Sequence, residues 1–166
     1  FQDSCGGIFL GVYFIDENTG ETSLEGVAPN NYRATDLPSD VQKLSPDFKE
    51  VFGQSEHAES LGLNRICGMG YRKAAEFLIK DYCVHLNPDA KDKIFEESLS
   101  QTIKRIDDPR INNLSNKCRI LGNDEVHTVI RYEENLEQFK SFLLSLVYIV
   151  QADLASEKAL HHCEED

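Results

Sequence analysis

The stretch Arg119-Ile-Leu-Gly-Asn-Asp-Glu-Val-His127 decides how this chain is read. It carries the most pointed polar chemistry within a region patterned as helix. If the helix runs on through Gly122, then Arg119, Asn123 and His127 fall at i, i+4 and i+8 and form one polar stripe. A second stretch, Gly70-Tyr-Arg-Lys-Ala-Ala-Glu-Phe-Leu-Ile-Lys80, offers a matching stripe of Arg72, Glu76 and Lys80. The pattern predicts a fold that brings the two stripes together.

Each stripe has a chemical and a structural reading. An imidazole at His127 works as general acid or base near neutral pH. An arginine at Arg119 holds phosphate and stabilises developing charge. Asn123 orients the histidine or meets a ribose or base edge. Together they are a parts list for a metal-independent ribonuclease acting through the ribose 2′-hydroxyl. In the structural reading His127 is hydrogen-bonded inside a bundle, Gly122 and Asn123 tighten or end a helix, and Arg119 pairs with Asp124 or Glu76. The second stripe has the same ambiguity. Arg72, Glu76 and Lys80 suit ligand binding, and they also form i, i+4 pairs worth about 0.3 kcal/mol each on an exposed helix.

Outward from these stretches the pattern is helical. Ser45-Pro46-Asp47 is a helix start, with serine at the N-cap, proline at N1 and an acid in the first turn. Phe48, Val51, Phe52, Ser55 and Ala58 follow at helical spacing, and Gly62 stops the helix. Leu63, Ile66, Cys67, Gly70, Ala74, Phe77, Leu78 and Tyr82 trace the apolar face of a second helix over residues 63–85. Gly68 and Gly70 inside it predict a close helix crossing. A third helix is expected over 89–106, with Phe95, Leu99, Ile103 and Ile106 inward and Asp107-Asp108-Pro109 as the break. Ile111, Leu114, Cys118 and Leu121 set the apolar side of a fourth, which leads into the opening stretch. The fifth, over 133–158, buries Leu136, Phe139, Leu143, Leu146, Val147, Val150 and Leu154.

Residues 7–16 are rich in β-formers and read as a strand; Glu17-Asn-Thr-Gly20 is a turn, and 21–27 return as a second strand. A lone hairpin is marginal in water, so it needs something to lie on or further strands. The expected organisation is a hairpin over 1–28, a connector over 29–45, a helical bundle over 46–160 and a tail over 161–166.

The 166 residues carry a net charge of −12, which excludes a coat for nucleic acid but leaves room for a local basic site. Basic residues gather near the two stripes, in 65–80 and 104–119. Five cysteines without a C-x-x-C spacing argue against a disulfide framework and for a reducing cytoplasm, with Cys67 and Cys118 as small core residues. The opening on Phe-Gln-Asp-Ser-Cys, without methionine, suggests a start within a longer protein. No uninterrupted run of 18 apolar residues is present, so no membrane span is expected. No histidine group has ligand spacing, so no metal site is assigned, and no phosphate loop, nucleophile elbow or dinucleotide fingerprint implies a cofactor.

Three pieces in this order and separation carry a family likeness: Glu59-x-Leu-Gly-Leu63, Gly70-Tyr-Arg-Lys-Ala-Ala-Glu-Phe-Leu-Ile-Lys-Asp-Tyr82, and Ile120-Leu-Gly-Asn-Asp-Glu-Val-His127. Over residues 44–160 the chain resembles the bacterial "domain of unknown function 4145" family, a branch of the HEPN-like helical domains. The resemblance implies a four- to five-helix bundle, often dimeric, belonging to defence, toxin or stress systems as an RNase or as an inactive nucleotide-binding or scaffolding version. It also implies a small zinc-ribbon-like or hairpin segment in front, of which Cys5-Gly-Gly would be a remnant. Catalytic members resemble Arg-Asn-x-x-x-His. Asn123 and His127 match, but Gly122 stands at the arginine position and Arg119 lies one turn earlier.

The expectation is therefore a mainly α, HEPN-like up-and-down bundle with a small N-terminal β-hairpin. Its first functional reading is a non-catalytic module that forms a homodimer or binds nucleotide or RNA. The second is an endoribonuclease using His127 with Arg119 and Asn123. The third is a protein-interaction adaptor whose stripes are structural.

Overall fold

A computed structural model describes residues 10–28, 32–124 and 135–164. The chain divides into two compact units, Phe1–Arg33 and Ala34–Asp166.

In the first unit, strand β1 (Leu10–Ile15) pairs antiparallel with β2 (Thr22–Ala28), from Leu10 opposite Ala28 to Ile15 opposite Thr22. The register shifts between Val12 and Tyr13, a β-bulge. The turn is made by Asp16, whose Oδ1 accepts the amides of Asn18 at 2.7 Å and Thr19 at 3.1 Å. Gly20 closes it at φ 70°, a left-handed conformation that favours glycine.

The second unit is helical. Helix α1 (Ser39–Leu44) precedes α2 (Pro46–Ser60) and α3 (Asn64–Leu86). A 3₁₀ turn (Pro88–Ala90), α4 (Lys91–Glu96) and α5 (Leu99–Ile103) follow, then α6 (Pro109–Asp124) and α7 (Asn135–Glu164). Helix α3 is the centre. Cys67, Tyr71, Ala74, Ala75, Leu78, Ile79, Tyr82 and Cys83 are all buried, a stripe wider than one helix face. The width arises because α2, α5, α6 and α7 all pack on it.

Cross-links between helices fix their directions. Gly70 abuts Ser55, and Asp81 meets Ser45, so α2 and α3 run opposite ways. Tyr82 donates to Asp153 at 2.6 Å and His85 lies 2.7 Å from Glu157, while Lys140 sits 5.5 Å from the Tyr71 ring. Both numbers rise together, so α3 and α7 are parallel. The C-terminal end of α6 meets the start of both, with Gly122 against Arg72 and Phe139. Helix α6 therefore runs opposite to them, and α2, α3, α6 and α7 form an up-down-up-down bundle.

Several local expectations are corrected. The region read as connector contains α1, a short helix that buries only Val41. Ser45 occupies the α2 N-cap, but its hydroxyl donates to Asp81 Oδ2 at 2.5 Å instead of capping α2. Leu63 and Ile66 are exposed, because Leu63 precedes α3 and Ile66 lies about 100° around the helix from buried Cys67.

The helix expected over 89–106 is broken. Glu97 is extended, at ψ 160°, and Ser98 restarts the chain as the N-cap of α5. Ser98 and Gln101 form a capping box, which satisfies the amides on both sides of the break. The break resets the helical phase, so Ile94 is buried and Phe95 is 45% exposed.

The segment Leu136–Leu160 is long and apolar enough, by composition, to cross a membrane. Here Phe139, Leu143, Leu146, Val147, Val150 and Leu154 along it are buried in the bundle.

Candidate functional site

Helix α6 continues through Gly122, which places Arg119 and Asn123 one turn apart on the same side. An interior glycine costs a helix about 1 kcal/mol against alanine. The backbone does not require it, since no left-handed φ occurs at 122. Space does. A Cβ there would lie 3.0 Å from Arg72 Cγ, 3.2 Å from Arg72 Cβ and 3.3 Å from Phe139 Cζ. Without a side chain at 122, Arg72 lies across α6, and its Nη2 donates to Asn123 Oδ1 at 2.9 Å. The two stretches do meet, through Arg72 and Asn123.

The arginines of this face are unlike others in the bundle. Arg105 donates from Nε and Nη2 to Glu97 at 2.7 and 2.9 Å. Arg110 grips Asp108 with Nη2 at 2.7 Å. Among the residues whose side chains are described, which do not include Asp124, neither Arg72 nor Arg119 has a carboxylate within ion-pair distance. Arg119 Nε is moreover buried without a hydrogen-bond partner. Asn123 accepts from Arg72 through its side-chain oxygen, which leaves its amide nitrogen as a further donor. Among the described side chains the two arginines of this face thus meet no counter-anion, in a chain of net charge −12.

The other predicted site residues are placed differently. Arg72 and Glu76 do not pair; Glu76 lies 3.8 Å from both Lys73 and Lys80. Lys80 is 8% exposed and donates to the carbonyls of Phe95 at 3.0 Å and Glu97 at 3.1 Å. Those oxygens end α4 and have no helical partner, so Lys80 is a structural cap and not part of an open ligand face. His127 lies outside the described residues, as do Cys5 and the side chains of His161 and His162. Among the described residues no group of three or more His, Cys, Asp and Glu side chains is arranged to hold a metal ion.

One polar cluster has no local signature in the sequence. Tyr71 Oη donates to Glu59 Oε2 at 2.6 Å, and Lys140 Nζ reaches both Glu59 oxygens at 2.9 and 2.7 Å. Burial raises the Glu59 carboxyl, but the hydrogen bonds from Lys140 and Tyr71 outweigh it and leave the pKa below its ordinary value. Burial, and then the bond to Glu59, push the Tyr71 phenol far above its ordinary value. It stays protonated near neutral pH, and the cluster clamps α2, α3 and α7 together. A buried tyrosine hydroxyl requires a partner, which was the available signal. Cys67, Cys83 and Cys118 are buried, and among the described residues none of them is in a disulfide. Burial pushes the Cys118 thiol up to about 12, so it is not a thiolate nucleophile.

No protein-family model, curated protein or solved structure matches the chain.

Proposed function

We propose that the helical unit binds nucleotide phosphate, free or within single-stranded RNA, at the α3–α6 face built from Arg72, Asn123 and Arg119. The observation that carries this reading is the buried Arg119 Nε, which has no hydrogen-bond partner among the described residues, beside an Arg72 that meets no carboxylate among them. A guanidinium nitrogen buried without an acceptor is costly, and phosphate is the anion whose geometry matches the paired N–H groups of arginine. The HEPN-like resemblance is compatible with this reading, since it implies nucleotide-binding versions beside RNases and scaffolds.

The test is a titration with fluorescein-labelled heptauridylate and with adenosine monophosphate at low salt. Saturable binding is expected, weakening as salt rises. Arg72→Ala and Arg119→Ala should each weaken it about tenfold, equal to about 1.4 kcal/mol. An affinity unchanged in the double variant would overturn the proposal. His127→Ala, tested with RNA in EDTA, separates binding from cleavage: RNA breakdown by wild type that vanishes in this variant would make the domain a nuclease.

A further inference from the structure

We infer that Gly122 is a positioning residue, whose missing side chain sets the Arg72 guanidinium on Asn123. The geometry stands alone; its link to ligand affinity rests on the phosphate-binding reading above. A methyl group at 122 would be wedged between two neighbours, Arg72 at 3.0 and 3.2 Å and Phe139 at 3.3 Å. Phe139 is fully buried in the core and has no room to retreat. Arg72 is half-buried, and its Cβ is fixed by the α3 backbone. The soft member is therefore Arg72 Cγ, which yields by turning about χ1.

That turn acts as a lever. A small displacement at Cγ grows several-fold by the time it reaches Nη2. The bond to Asn123 starts at 2.9 Å, and about half an ångström of movement takes it out of hydrogen-bond range. Gly122 thus controls an interaction it does not itself make. A side chain at 122 would free Arg72 to sample solvent and release the Asn123 amide.

The experiment compares Gly122→Ala, Arg72→Ala and the double variant. Two readouts are used: the side-chain amide resonances of Asn123 by NMR, and affinity for heptauridylate by fluorescence anisotropy. Gly122→Ala should shift the Asn123 signals as Arg72→Ala does. It should weaken heptauridylate about tenfold in the wild-type background and by less than about twofold in the Arg72→Ala background, a thermodynamic cycle that a general packing defect would not produce. Asn123 signals unchanged in folded Gly122→Ala overturn the inference, as does equal weakening in both backgrounds. If wild-type protein binds no heptauridylate, the functional reading fails while the Asn123 signals still decide on Gly122. Should Gly122→Ala unfold, adding Phe139→Leu relieves the second contact and leaves the first. That variant should fold and still show the displaced Asn123 signals, and signals unchanged from wild type would again overturn the inference.

Discussion

Two carboxylates respond to pH in opposite directions. Asp81 is half-buried on α3, and burial raises its pKa. The Ser45 hydrogen bond opposes that rise, Asp47 adds to it, and the net value stays above the ordinary 3.8. Folding therefore favours its protonated form, and stability is lost as pH rises from 3.8 through the raised value. Asp81→Asn keeps an acceptor for Ser45 and removes the charge. Its Tm should exceed that of wild type at neutral pH, and the gap should close in acid. Asp108 is the reverse case. The Arg110 side chain, with the amides of Arg110 and Ile111 at the start of α6, holds its carboxyl at about 2. Its contribution is full above the ordinary 3.8 and is lost as pH falls toward 2. Asp108→Asn should lower Tm at neutral pH and converge with wild type in acid. Melts of both variants across acid and neutral pH check the pair; gaps of equal sign would refute the assignment.

At the scale of elements, the α2–α3 crossing depends on Gly70. A Cβ there would collide with Ser55, itself 3% exposed and bonded to the Val51 carbonyl at 2.7 Å. Gly70→Ala should destabilise by about 1–3 kcal/mol, as overpacked cores do. Adding Ser55→Ala, which removes the colliding oxygen, should recover part of that loss, measured by urea denaturation. A glycine inside an apolar helical stripe was a readable sign of this crossing, whereas its partner on α2 was not. Other elements were less legible. The break between α4 and α5 was written in Ser98-x-x-Gln101, but the periodicity of Phe95, Leu99 and Ile103 spans it and hides it. Helix α1 has six residues, too few to show a period. Lys80 reads as surface charge because nothing local reveals that the carbonyls of α4 lie across from it.

Across the molecule, the helical class, the hairpin and most core positions followed from sequence period alone. The central place of α3 did not, because a stripe buried on several sides looks like one apolar face until its neighbours are known. The meeting of Arg72 with Asn123 is legible as two stripes converging, but the role of Gly122 is not, because a departure from a motif or the tightening of a helix explains a glycine there equally well until Arg72 and Phe139 are seen against it. Among the described residues every buried apolar side chain lies between Leu37 and Leu154. A fragment of residues 34–166 should therefore keep the helical circular dichroism and cooperative melt of the whole chain. A non-cooperative melt would show that the hairpin unit is needed. The parallel pairing of α3 with α7 also bears on the order of folding. Tyr82 and Asp153 are 71 residues apart and His85 and Glu157 72. During synthesis α3 can pack on α2 as it emerges, but the face that meets α7 must wait, bare, for a partner not yet translated. At about 5–20 residues per second that wait lasts several seconds, a window in which the nascent chain is open to chaperones and to aggregation.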